Sequence, residues 1–125
     1  MANEITYGTT LSLSNDELKF SKNYTGIRIT QAAQGLVSNV QAIGTVEEAL
    51  DLGDLTTPGV SQMKNLEAAG GETIEVGTVP SSAIGFIAFI ELKPGEAWSG
   101  RLATTTPYAK SSGGTPKLDY TILEA

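Results

Sequence analysis

The side chains that most often perform acid–base, nucleophilic or metal chemistry are missing here, because the sequence contains no histidine and no cysteine. Histidine is the usual proton-transfer group near neutral pH, and cysteine thiolates serve as nucleophiles and metal ligands. Any catalysis or metal binding would therefore depend on carboxylates. We interpret the chain as a non-enzyme without a cofactor or a metal site. Without cysteines the sequence does not indicate whether the protein works in an oxidising or a reducing compartment.

The carboxylates form two short groups. Residues 51–54 are Asp-Leu-Gly-Asp, which could offer oxygens to Ca²⁺ but lack the sustained spacing of a calcium-binding loop. Glu47 and Glu48 form a second pair, and a glycosidase would need two carboxyl groups roughly 5–10 Å apart across a cleft. Solvated acidic turns are the simpler interpretation of both groups.

Ligand-binding patterns are equally sparse. The glycine pairs at residues 70–71 and 113–114 lack the lysine, the Ser/Thr partner and the helix of a phosphate-binding loop, and they predict hairpin tips. The aromatic side chains could stack on sugars in a carbohydrate-binding module, but in small β-domains they more often anchor a core or an interface. The interface candidates are Ile5, Tyr7, Tyr24, Phe86, Phe89, Trp98 and Tyr108.

The charge balance limits the possible partners. Eight basic against fourteen acidic residues give a net charge of -6, so nucleic-acid phosphates and anionic membranes would on average repel this surface. The amino terminus has no basic start followed by an apolar stretch, and no apolar run approaches the length that crosses a bilayer. We expect a protein made and kept in a cytoplasm, with no direct contact to nucleic acid or membrane.

The elements that must position these side chains are short strands. Threonine and serine are abundant, turn residues are scattered throughout, and no segment favours a long helix. Evenly spaced strands predict an all-β fold, an antiparallel β-sandwich that is jelly-roll-like, with about eight to ten short strands. We predict one domain over residues 13–125 and an amino-terminal arm over residues 1–12.

Local patterns give approximate strand positions. The predicted strands cover residues 4–13, 18–20, 25–30, 36–43, 45–50, 60–66, 73–79 and 117–123. In these strands Ile27 and Ile29 share one face, and Leu118, Tyr120 and Ile122 are in phase. For residues 45–50 a single helical turn is the alternative, since Thr45 and Glu48 fit a capping box.

Turns and loops separate these strands. Thr57-Pro58-Gly59 predicts a type II turn, and residues 93–96, Lys-Pro-Gly-Glu, predict a second Pro-Gly turn. The strand from Trp98 to Leu102 would then return alongside residues 86–90. Residues 104–114 are predicted to be a polar loop.

Residues 84–90, Ile-Gly-Phe-Ile-Ala-Phe-Ile, are the most informative segment. In a solvent-facing strand apolar and polar residues alternate, whereas here both alternating sets are apolar. One set would line the core, and the other would need a second layer, either a loop of the same chain or a neighbouring subunit. This pattern favours an assembling protein over a catalyst.

The segments with few apolar anchors are the first ten residues and residues 104–114. We expect them to be mobile in the isolated protein and ordered on binding, with simple fraying as the alternative. Ile5, Thr6 and Tyr7 have the character of a strand that could pair with a neighbour's exposed sheet edge.

Several segments together resemble small structural proteins encoded by tailed bacteriophages. They are Leu50-Asp51-Leu52-Gly53-Asp54, Thr57-Pro58-Gly59, Met63-Lys64-Asn65-Leu66, Ile74-Glu75-Val76-Gly77, Leu92-Lys93-Pro94-Gly95-Glu96, Arg101-Leu102, Pro107-Tyr108-Ala109 and Leu118-Asp119-Tyr120-Thr121-Ile122-Leu123. These motifs are turn chemistry and strand pattern rather than a reactive signature.

The resemblance implies a compact β-sandwich or jelly-roll protein of the virion. It would be a cement, or decoration, protein on the outer capsid surface, forming dimers or trimers and clamping adjacent subunits of the major capsid protein. A tail, fibre or neck module of the same particle is the alternative, and a free carbohydrate-binding module is a more distant one.

Overall fold

The computed structural model describes residues 4–31 and 33–124, and in that part of the chain it contains ten strands and no helix. All the strand pairs are antiparallel. The predicted all-β, antiparallel sandwich is confirmed. The strands are β1 (Glu4–Asn15), β2 (Leu18–Thr30), β3 (Leu36–Ala42), β4 (Glu48–Ala49), β5 (Pro58–Asn65), β6 (Ile74–Thr78), β7 (Ile87–Leu92), β8 (Ala97–Arg101), β9 (Tyr108–Ser111) and β10 (Lys117–Glu124).

Eight of these strands form two four-stranded sheets, ordered β3-β10-β5-β8 and β4-β9-β6-β7. Alternate side chains of central strands meet in one core, because successive residues of a strand point to opposite faces of its sheet. Leu118, Tyr120 and Ile122 of β10 are completely buried there, which confirms their predicted phase. Ile74 and Val76 of β6 are equally buried opposite them in the core cluster.

Asn65 at the end of β5 is the main buried polar side chain of the core. Its amide nitrogen donates to the carbonyl oxygens of Glu72 at 2.8 Å and Leu92 at 2.9 Å, and its amide oxygen accepts from the Glu67 backbone N–H at 3.0 Å. Leu92 closes β7, so this side chain ties the end of one sheet to an edge strand of the other. The bonds satisfy backbone groups that burial would otherwise leave unpaired.

Strands β1 and β2 form a separate two-stranded hairpin, closed by a two-residue turn at Asp16 and Glu17. Asp16 adopts a left-handed φ of 51°, a conformation that aspartate tolerates better than most residues. The predicted boundary between an arm of residues 1–12 and a domain of residues 13–125 does not coincide with an element boundary, since β1 runs through it. The unit that stands apart from the sandwich continues to Thr30.

Two predicted strand–turn relationships are wrong. Trp98 pairs with Met63 of β5 rather than with β7, because the tight turn at residues 93–96 joins strands of different sheets. The turn itself is confirmed, with the Glu96 N–H bonded to the Lys93 carbonyl and Gly95 at φ 80°. Thr57-Pro58-Gly59 is not a type II turn, since Pro58 begins β5, a position where a strand accepts proline.

The predicted polar loop at residues 104–114 contains strand β9. Ala109 and Ser111 of this strand face inward and are buried, and Pro107 just before it is fully buried. Strand β9 lies between β4 and β6 in its sheet. Its inward side chains are small, so the hydrophobicity of the sequence does not indicate a strand there. The predicted strand at residues 45–50 is reduced to the two residues of β4, and no helical turn forms there.

Candidate interaction surfaces

One face of the β1–β2 hairpin carries large apolar side chains from its base to its turn, and a β-bulge makes this possible. Tyr7 lies opposite Ile27, but Thr9 lies opposite Tyr24, so β2 carries one extra residue at this point. Gly26 adopts a left-handed φ of 68° there, as in bulges that begin with glycine. The extra residue shifts the alternation of β2. The odd-numbered Ile27 and Ile29 near the sandwich therefore share one face with the even-numbered Leu18, Phe20 and Tyr24 nearer the turn.

The base of the hairpin covers part of its own sandwich. Ile5 is only 7% exposed and Val60 of β5 only 4%, yet both lie outside the main core cluster. They line a cavity of about 250 Å³ between the hairpin and the outer face of the β3-β10-β5-β8 sheet, together with Tyr7 and Leu123. The base of the hairpin is therefore anchored by a small hydrophobic contact of its own.

The outer part of the same face has no cover. Its five large side chains, which we call the distal hairpin face, are Leu11, Leu13, Leu18, Phe20 and Tyr24, with exposures of 68, 45, 60, 51 and 54%. Single exposed apolar residues are ordinary, but five on one face of one ribbon form a patch of the kind that marks an interaction site. Lys22 lies on the same face, 5.5 Å from the centre of the Tyr24 ring.

The distal hairpin face projects past the edge of the sandwich. Residues 5–8 of β1 lie over β10 and β5, and Gly8 to Thr10 lie beside Ala97 to Ser99 of the edge strand β8. Beyond Thr10 the strand continues to Asn15. Five extended residues span roughly 17 Å. The end of the hairpin therefore extends past β8 by more than the thickness of the sandwich core, which is roughly 10 Å between two packed sheets.

A second group of exposed apolar side chains lies at the start of β7 and just before it. We call Ile84, Ile87 and Phe89 the β7 patch, and their exposures are 63, 47 and 43%. Only Ile90 of the apolar run at residues 84–90 is buried, so the prediction that one complete set lines the core is wrong. A register shift is the reason: Val76 lies opposite Ile90 and Gly77 opposite Ala88, which leaves Phe89 as an extra residue and breaks the alternation.

Carboxylates flank the β7 patch. Glu91 is exposed two residues beyond Phe89 on β7, and it lies directly opposite Glu75 of β6. Two like charges in opposite positions of a sheet repel each other. Among the described residues the only ion pair joins Arg28 to Glu4 at 3.9 Å. Within that part of the chain Glu91 forms no ion pair.

The predicted interface residues fall into three groups. Ile5 and Tyr7 lie at the base of the hairpin and Tyr24 on the distal hairpin face. Phe89 belongs to the β7 patch, and the half-buried Phe86 directly precedes β7. The half-buried Trp98 packs against the core and lines a cleft with Phe89, while the half-buried Tyr108 lies on β9.

The structure also places residues that the sequence did not single out. Leu11, Leu13, Leu18 and Phe20 complete the distal hairpin face. On β2 the alternation of Leu18, Phe20 and Tyr24 breaks at residues 25–26, so a reading with one strict period separates them from Ile27 and Ile29. Leu11 and Leu13 keep the alternation of Ile5 and Tyr7 along β1. Glycine at the point where the period changes is the signal of a bulge that could have joined the two sets.

The acidic groups have local structural partners. The Asp51 carboxylate accepts the Gly53 backbone N–H at 2.9 Å, and the Glu48 carboxylate accepts that of Gly44 at 2.9 Å. In the described part of the chain no three acidic side chains come together in a way that could hold a metal ion. Burial raises the pKa of the Tyr120 phenol, whose hydroxyl donates to the Asp51 carbonyl oxygen at 2.7 Å.

Comparisons with protein-family models, with curated proteins and with solved structures gave no significant match. Within residues 4–31 and 33–124 there is also no helix with the length and apolar character needed to cross a membrane.

Proposed function

We propose that this chain is a non-enzymatic structural protein of a tailed-phage virion, a cement or decoration protein. It is made in the bacterial cytoplasm and sits on the outer capsid surface. There it forms a homodimer or homotrimer and clamps adjacent subunits of the major capsid protein. The sequence resemblance described above supports the phage assignment. We also propose that the sandwich is a jelly roll, supported by its eight strands in two four-stranded sheets.

The observation that carries the proposal is the pair of exposed apolar surfaces on one small acidic chain. Burying apolar surface stabilises by about 25 cal/mol per Å², so the distal hairpin face and the β7 patch both favour a partner. A protein that joins neighbours in a lattice needs at least two such surfaces, one for its own copies and one for the shell. A projecting ribbon and a patch on the sandwich provide them at separate places.

The copy number on purified particles tests this function. A cement protein is present in a fixed ratio to the major capsid protein, which quantitative mass spectrometry of purified virions measures. Addition of the purified chain to particles that lack it should raise the temperature at which they release DNA. A few copies per particle, located on the tail by labelled antibody, would refute the capsid role and indicate a tail, fibre or neck module.

Replacement of Trp98 by alanine separates a structural role from sugar binding. Trp98 packs against the core cluster opposite Met63, so W98A should destabilise the fold by about 3 kcal/mol. The exposed Leu36 on β3 provides the control, because L36A removes a large apolar side chain from outside the core and outside both exposed apolar surfaces. A W98A protein of unchanged stability that loses binding on a glycan array would support a carbohydrate-binding module instead.

A further inference from the structure

We infer that the distal hairpin face of one copy packs on the β7 patch of a second copy of the same chain. This contact rests on the self-association in the proposed function and names the two surfaces that form it. Each copy would both donate its hairpin and receive one. The contact therefore closes into a symmetric dimer or a ring, as the interfaces of homo-oligomers usually do.

Charge complementarity selects the second copy as the occupant. The hairpin, residues 4–30, is neutral, since its three acidic residues balance its three basic ones, so the described remainder of the chain carries the whole net charge of -6. The distal hairpin face includes Lys22 and no carboxylate. The β7 patch is flanked by Glu91, which faces Glu75. Lys110 of β9 already lies opposite Glu75, so Glu91 is the carboxylate that a lysine from a second copy would pair with.

The geometry allows a hairpin to reach a neighbour. The overhang of roughly 17 Å beyond Thr10 leaves the sandwich at the side formed by the edge strands β7 and β8. A second sandwich brought against this side meets the overhang. In the single chain the five side chains of the distal hairpin face stay exposed, so the hairpin does not fold back on its own body.

The available area explains why the contact must occur more than once. At roughly 200 Å² for each fully exposed large side chain, the five side chains of the distal hairpin face offer about 500 Å² and the β7 patch about 300 Å². One such contact buries about 800 Å², the size of a weak packing contact. Two reciprocal contacts in a dimer bury about 1,600 Å², the standard size of a stable interface.

Substitutions in each surface test the contact by light scattering. F20S on the distal hairpin face and F89S in the β7 patch should each weaken association at least tenfold and give the 13.0 kDa monomer. L36S removes a side chain of β3 that is more exposed than either phenylalanine and lies outside both surfaces, and it should leave the oligomer intact. An F89S protein that stays assembled would overturn the contact and indicate hairpins packed on one another.

Mixing the two variants provides a stricter test. An F89S copy retains an intact hairpin, and an F20S copy retains an intact β7 patch, so a mixed pair has one intact contact where a pair of identical variants has none. The mixture should therefore associate more tightly than either variant alone and more weakly than the unmodified chain. Circular dichroism checks that both variants fold. A mixture of two folded variants that associates no more tightly than either variant alone, at concentrations where weak association is detectable, would contradict a contact between these two surfaces.

Cross-linking locates the contact directly, because the chain contains no cysteine of its own. The single variants K22C and E91C, mixed and treated with a short bismaleimide, should give a product of twice the chain mass. Lys19 lies on the opposite face of the hairpin, so K19C mixed with E91C should give at least tenfold less product. An assembled mixture in which K22C couples only to K22C would overturn the inference.

The outcomes separate this inference from the proposed function. An oligomer without the cross-link between positions 22 and 91 removes this contact but leaves the capsid role intact. Protection of K22C from alkylation only when capsid subunits are added would likewise overturn the inference, because the distal hairpin face would then bind the shell. A cross-linked oligomer that is not found on particles supports the contact and removes the virion role.

Discussion

Replacement of Asn65 by aspartate removes two hydrogen-bond donors from the core with almost no change in shape. The asparagine amide nitrogen donates to the carbonyl oxygens of Glu72 and Leu92, and the single side-chain oxygen accepts a bond from the Glu67 N–H. In N65D a carboxylate oxygen would face both carbonyls. Asn65 is completely buried, so water cannot enter to replace the lost donors.

The expected cost is large compared with the stability of a small domain. Each lost hydrogen bond costs about 1 kcal/mol, and a buried acceptor left without a partner adds roughly 1–3 kcal/mol. We expect N65D to lower the free energy of unfolding by at least about 4 kcal/mol at pH 7, out of a total of about 5–15 kcal/mol. The corresponding fall in Tm is about 15 °C.

The loss of unfolding free energy in N65D should increase as the pH rises. Burial beside two carbonyl oxygens raises the folded-state pKa of the introduced carboxyl above its unfolded value of about 3.9. The protonated acid can donate one hydrogen bond, so the deficit is smallest near pH 4. It grows as the pH rises through the folded-state pKa.

Guanidinium unfolding followed by fluorescence of the single tryptophan, Trp98, measures this deficit at several pH values. The protein concentration is held constant, because association contributes to stability. N23D is the matched control: Asn23 is exposed on the hairpin and accepts a bond from Thr10 through its oxygen, which the aspartate keeps. An N65D deficit below about 1 kcal/mol at pH 7, or one independent of pH, would refute the reasoning.

Two further changes test the fold at other points. G77A should lower the free energy of unfolding in urea by about 3 kcal/mol, because a Cβ at Gly77 would overlap the backbone of Ile87. The control G44A should be tolerated, because a Cβ at Gly44 has no close neighbour. Equal stability of the two variants would contradict the close approach of β6 and β7. The hydrogen bond from Thr56 holds the pKa of Glu124 below its ordinary value of 4.5, so its contribution to stability is present above pH 4.5 and is lost as the pH falls through the folded-state pKa. E124Q should therefore flatten the dependence of the unfolding free energy on pH below 4.5, and an unchanged acid slope would contradict this role.

The sequence predicts the parts of the fold where one period runs without interruption. Leu118, Tyr120 and Ile122 alternate strictly along β10 and are buried as expected. The turn at residues 93–96 is also correct, since proline and glycine there fix the backbone. The partner of Trp98 could not be predicted, because a tight turn can join neighbouring strands of one sheet or edge strands of two sheets.

The interaction surfaces were predicted only in part for a related reason. Phe89 and Tyr24 were identified as interface candidates from their residue type, and both are exposed. Whether they contact a partner stays a prediction. Leu18 of the distal hairpin face was missed because the bulge at Gly26 shifts the alternation of β2, whereas Leu11 and Leu13 continue the alternation of Ile5 and Tyr7 along β1 and could have been identified from it. A single inserted residue changes the face of every following side chain, and a fixed-period reading does not follow this change.

The mass of the unmodified chain in solution tests the central claim most directly. Size-exclusion chromatography with light scattering over a wide range of concentrations should give an integral multiple of 13.0 kDa, with dissociation to the monomer only on strong dilution. A single species of 13.0 kDa at every concentration would contradict the account, because both apolar surfaces would then remain in water.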